Sequence, residues 1–104
     1  MPLFLAKKEV FEWLKSGAKT IDVRKGAPRK GSTAVFQSGA MYLELPIIKL
    51  EMGTLEEVVT LENFRSVVPT ARTLEEARGY LRRIYPSNDG GAYTAYHLGH
   101  PKTA

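Results

Sequence analysis

Cysteine is absent from this 104-residue chain, and histidine occurs only twice, as His97 and His100. Without cysteine there is no disulfide, no thiolate nucleophile and no cysteine-ligated zinc. Two histidines fall short of a usual zinc site unless carboxylates join them, so neither metal nor cofactor is expected. The chain also lacks any apolar run near the ~18 residues of a membrane helix. Its opening, Met1-Pro2-Leu3-Phe4-Leu5-Ala6, is too short for a signal peptide, and its lysines follow the apolar residues instead of preceding them. The expectations are no membrane partner and a cytoplasmic home. Internal repeats and low-complexity segments are missing as well.

The length fits one domain over residues 1–104, large enough to bury a core without staples. The apolar fraction of 43% and charged fraction of 25% are those of an ordinary soluble globule. The net charge of +4 is unevenly spread. Residues 15–30 hold Lys15, Lys19, Arg24, Lys25, Arg29 and Lys30 against Asp22 alone, whereas residues 31–71 are net acidic. A basic segment beside an acidic one points to an anionic partner, with phosphate the leading candidate. From charge alone a solvated loop explains it equally well.

Hydrophobic spacing predicts a helix over residues 7–16, with Val10, Phe11 and Leu14 on one face and Trp13 at its edge as a core anchor, the rarer alternative being a stacking platform for a base. Ser16-Gly17 stops it, glycine taking the left-handed position. Residues 18–24 read as a strand, with Ile21 and Val23 facing inward and Lys19 at the strand mouth. Asp22 and Arg24 share the opposite face, close enough to pair. Residues 25–32 form a loop with two glycines and a proline, rich in cations but without phosphate-loop spacing. A short strand covers residues 33–37. The longest extended stretch runs over residues 41–52, where Pro46 and the doubled Ile47-Ile48 predict a bulge.

Residues 53–60 are ambiguous, a helical turn by propensity or a strand by context. Residues 61–68 read as a short helix stopped by Pro69. Residues 74–85 are the clearest helix, with Thr73 as cap, Glu76 completing a capping box, and Arg78 and Arg82 on a solvated outer face. A turn follows at residues 87–91, then a last strand over residues 92–98.

Two motifs carry a family resemblance. Gly17, Lys19, Thr20, Ile21, Asp22 and Arg24 resemble the Gly-x-Lys-Thr-hydrophobic-Glu-x-Arg signature of the ASCH domain family, with Asp22 in the glutamate place. Later, Pro69, Thr73-Leu74-Glu75-Glu76-Ala77 and Ile84-Tyr85-Pro86 before a last strand match its second half. The resemblance spans nearly the whole chain. It implies an α+β fold: a small PUA-like, mostly antiparallel β-barrel flanked by two or three helices. It assigns residues 53–60 to a strand.

For function, the resemblance implies RNA binding, since ASCH domains are similar to the RNA-binding PUA domains. Lys15, Lys19, Asp22, Arg24, Lys25, Arg29 and Lys30 would line a basic cleft. Tyr85, Tyr93 or Tyr96 would stack an exposed base. The alternative is a small-molecule, nucleoside-like ligand bound or hydrolysed in the same cleft, by amidohydrolase or ribonuclease chemistry. If the chain is an enzyme, Lys19 and Asp22 are its acid–base candidates. Relatives that hydrolyse acetylated cytidine use Lys, Thr and Glu. Here Lys19 matches, Asp22 stands for the Thr, and the Glu position falls near Thr70. Two departures of three lean against an enzyme.

Overall fold

The computed structural model describes residues 1–85 and 91–101. In chain order the elements are β1 (Leu3–Leu5), α1 (Lys8–Ser16), β2 (Ile21–Lys25), β3 (Thr33–Ser38), β4 (Met41–Gly53), α2 (Leu55–Val58), α3 (Phe64–Val67), α4 (Leu74–Ile84) and β5 (Tyr93–Leu98). The expected turn at residues 87–91 lies almost wholly outside the described residues. The strands form one curled mixed sheet, a half-barrel, in the order β1-β3-β4-β5-β2. Among the described residues β1 and β3 run parallel, and the other three pairings are antiparallel.

β4 is the long strand that turns the sheet. Its first half pairs with β3 as far as Pro46, and its second half pairs with β5. The register slips between Ile47 and Lys49, where the proline and doubled isoleucine predict it. A bulge sharpens twist and bends the strand, so the sheet curls there. As a result, both faces of β5 are covered. Tyr93 and Ala95 pack with Val23, Val67 and Leu81 under the C-terminal helices. Tyr96 and Leu98 pack on the other side with Phe4, Phe36 and α1 residues Phe11 and Leu14.

Helix α1 ends as its sequence predicts, at Gly17 with φ 85°. Residues 53–60 correct the strand expectation. Thr54 Oγ1 accepts from the Glu57 amide and the Glu57 carboxylate accepts from the Thr54 amide, a complete capping box that starts α2. At α4, Thr73 caps as expected, but the Glu76 carboxylate accepts from the Arg72 amide. Arg78 is not on a solvated face. Its guanidinium donates to the carbonyls of Val59 and Glu56 and ties α4 to the end of α2.

The two sheet edges, β1 and β2, are joined by side chains. Arg24 Nη1 donates to Leu5 O at 3.2 Å, and Arg29 Nη1 donates to Leu3 O at 3.0 Å. Both guanidiniums lie over the Phe4 ring, 4.5 and 5.0 Å from its centroid. Planar, weakly hydrated arginine suits a position that stacks and donates at once.

Candidate functional site: a cleft beside strand β2

After Gly17 the chain is steered by backbone bonds. Lys19 N donates to Trp13 O at 3.0 Å and Thr20 N to Ser66 O at 3.0 Å, so β2 begins only at Ile21. This puts Lys19 inside the fold, not at a strand mouth. Its Nζ donates to Ile21 O at 2.8 Å and Val67 O at 2.5 Å. An ammonium has three donors, so one remains for whatever enters beside it. Burial lowers the Lys19 pKa to about 8; the nearby Asp22 charge opposes the shift and Arg24 adds to it.

Strand β2 is covered on both faces, so Asp22 is buried along with Ile21 and Val23. A buried carboxylate needs a partner. Asp22 Oδ2 accepts from Arg24 Nε at 2.6 Å, with Arg24 Nη2 and Oδ1 at 3.5 Å. Burial alone would lower the Arg24 pKa, but the charge and hydrogen bond of Asp22 outweigh it and the net shift is upward. The Asp22–Arg24 pairing read from strand alternation is therefore present, and the arginine also reaches across to β1.

Lys19, Asp22 and Arg24 share one cleft of about 160 Å³ with Trp13, Tyr80 and Tyr85. An engineered cavity of about 150 Å³ takes up benzene, so the space suits one aromatic ring. Trp13 and Tyr80 stand 6.2 Å apart, inclined at 50°. Tyr85 is half-buried and meets Tyr93 edge-on at 6.1 Å. Burial raises the Tyr85 pKa, against the Arg24 charge, so its hydroxyl keeps its proton at neutral pH. Lys7 also lines the cleft, and a shallower hollow adjoins it through Lys7, Tyr80, Ile84 and Arg83.

Other expected residues are dispersed. Lys15 lies with Ser16, Gly17 and His100 in a second hollow, which shares only Lys19 with the cleft. Lys25 lies over the Tyr93 ring at 5.9 Å, Arg29 is at the β1 seam, and Lys30 is exposed. Residues 25–30 do not line the cleft. Tyr96 is a core residue. It is 1% exposed, its ring packs 5.0 Å from Phe4, and its hydroxyl accepts from the Arg29 amide, which leaves no face for a base. Tyr93 is likewise buried. Thr70 is exposed and away from the cleft.

Sequence reasoning missed Lys7, Tyr80 and Arg83; Trp13 both packs against the core, as expected, and lines the cleft. The usable signal was Tyr80, Arg83 and Ile84 at i, i+3 and i+4, one face of α4. Among the described residues no group of three or more His, Asp or Glu could hold a metal ion, and no helix is long and apolar enough to cross a membrane.

No protein-family model matches the chain, and no curated protein matches it in sequence. Its fold matches several solved structures. The hypothetical protein PH0355 superposes with a TM-score of 0.75 at 20% identity, covering 98% of this chain and 100% of that one. An ASCH protein from Zymomonas mobilis gives 0.70 at 14%, covering 96% of this chain and 67% of that one. Protein PF0455 from Pyrococcus furiosus gives 0.69 at 20%, covering 99% and 98%. At such identities the likeness speaks to the fold.

Proposed function

With an ASCH-type fold as the premise, we propose that this chain is an RNA-binding module that takes one unstacked base into the cleft beside β2. The observation that carries the reading is the cleft's composition. It is ring-sized, walled by Trp13, Tyr80 and Tyr85, and floored by the spare donor of Lys19 and the acceptor oxygens of Asp22. Single-stranded RNA is recognised in this way, by stacking on aromatics and by donors and acceptors on the base edge. Lys7 and Arg83 at the mouth supply cations for the flanking phosphates, while Lys30 and Lys25 extend the field. The expected basic cleft becomes an aromatic cleft with a basic rim. The cytoplasm is the compartment in which we place this activity.

Trp13 is the sole tryptophan and lines the cleft, so its fluorescence reports occupancy. Single-stranded RNA titrated into the protein should change that emission saturably. Affinity should fall roughly twentyfold for a fourfold rise in salt if about three phosphates are held. RNA binding that leaves Trp13 emission untouched would place the RNA elsewhere. No binding even at low salt would remove the reading.

One observation favours a second reading, hydrolysis of a nucleoside-like amide or of RNA in the same cleft. It is the buried Lys19 amine, with a pKa lowered to about 8 beside Asp22. Such an amine is partly neutral near neutral pH and can move a proton. Turnover of acetylcytidine or RNA that is abolished by Lys19→Met would establish it; absence of both leaves binding alone.

A further inference from the structure

The second half of β4 is an open edge. The sheet order places β3 and β5 on opposite sides of β4. The β3 ladder ends at Pro46, and Ile47 N donates to Ser32 O. Beyond that point Ile48 is the bulged residue and residues 49–53 pair with β5, and among the described residues no backbone group meets their other edge. Natural edges are usually blunted by charge, proline or shortness, because an open one pairs with another strand. This edge carries Lys49 and Glu51 but is apolar on its other face: Ile48, Leu50 and Met52 are 69%, 44% and 59% exposed.

The sequence of that edge, Ile48-Lys49-Leu50-Glu51-Met52, is symmetric about Leu50 in polarity and opposite in charge. We propose that it pairs antiparallel with the same edge of a second copy of this chain, on a two-fold axis through Leu50. In that register Leu50 meets the partner's Leu50, and Ile48 meets the partner's Met52. Lys49 meets the partner's Glu51, and the symmetry makes the Ile48–Met52 and Lys49–Glu51 contacts twice. Neighbouring registers are excluded by the same residues. A slip of one sets charges against apolar side chains; a slip of two sets Lys49 on Lys49 or Glu51 on Glu51. The ion-pair partners are accessible. Lys49 and Glu51 side chains are 63% and 39% exposed and lie 3.8 Å apart within the chain. Glu51 Oε1 is engaged by His97 at 2.6 Å, and among the described residues no bond reaches its Oε2. A peptide from an unrelated protein would not call for this palindromic pattern, whereas a second copy does.

Five paired residues with three apolar side chains per copy make a small interface, so a micromolar dimer is expected. Sedimentation of the full chain from about 10 μM to about 1 mM should show a concentration-dependent dimer. Lys49→Glu and Glu51→Lys each place like charges opposite one another, and each should weaken self-association about tenfold. Mixed together, the two variants restore both ion pairs and should form a heterodimer about as tight as the wild-type dimer. Leu50→Lys, which leaves the Glu51–His97 bond intact, should be monomeric and fold normally. If Glu51→Lys fails to fold, Lys49→Glu and Leu50→Lys carry the test. The proposal is overturned by a monomer throughout the range, by single variants that dimerise like wild type, or by a mixture no tighter than its components.

Discussion

The cleft gathers Lys19, Asp22 and Arg24; the loop of residues 25–30 gathers Lys25, Arg29 and Lys30. By sequence these are two halves of one basic stretch. In the fold they behave differently. Lys19 and Asp22 are buried and Arg24 half-buried, and they pair with each other or with carbonyls, so their orientation is fixed. In the loop, Arg29 is spent on Leu3 O and Phe4, while Lys30 faces solvent. A buried charge with fixed partners supplies directional donors and acceptors; an exposed one supplies field and flexible phosphate contact. Counting charges along a chain cannot separate these two uses.

The largest expected contrast is in stability. Asp22→Ala leaves the Arg24 guanidinium and the Lys19 ammonium without their counter-charge, so it should cost about 3–5 kcal/mol in urea unfolding. Lys30→Ala should stay within about 0.5 kcal/mol. Equal effects would show that the Asp22 pair is worth no more than a surface contact.

The pH dependence is next in size. Lys19 ordinarily titrates near 10.5 but in the fold at about 8. Between those values the unfolded chain binds more protons at this residue than the folded one does. Its contribution therefore improves as pH rises through that window, by roughly 3 kcal/mol. Below about 8 the buried ammonium carries its full penalty. The difference between wild type and Lys19→Met, read from urea midpoints across the window, should change in that direction. A difference flat with pH would mean that Lys19 titrates normally. Tyr80 and Tyr85 are present in both proteins, so their titration cancels.

The smallest effect belongs to the seam. Arg29→Ala removes one carbonyl bond and one ring contact and should cost about 1 kcal/mol. A loss near zero would make Arg29 a free loop cation like Lys30, erasing part of the contrast.

Much of the architecture was legible because its signals are local. Gly17 stops α1, Pro46 and Ile47-Ile48 mark the bulge, and Thr73 caps α4. Helix α2 carries a local signal too, Thr54-x-x-Glu57, whereas the strand expectation for residues 53–60 came from the family resemblance. The cleft was legible only in part. Asp22 and Arg24 are two residues apart, and their pairing follows from strand alternation. The fate of Lys19 depends on Val67 O, 48 residues away in sequence, and Trp13 meets Tyr80 only because α4 returns beside α1. Tyr96 read as a surface aromatic because nothing near it in sequence reveals that β5 is covered on both faces.

In the function we propose, RNA enters at the cleft rim and not along the basic loop. Affinity for single-stranded RNA, measured at low salt with Lys7→Glu/Arg83→Glu and with Arg29→Glu/Lys30→Glu, tests it most directly. Both variants change charge equally, so the long-range field falls by the same amount in each. The account predicts that the rim variant loses about tenfold more affinity than the loop variant and alone abolishes the Trp13 response. Greater loss in the loop variant, with the Trp13 response intact in the rim variant, would contradict it.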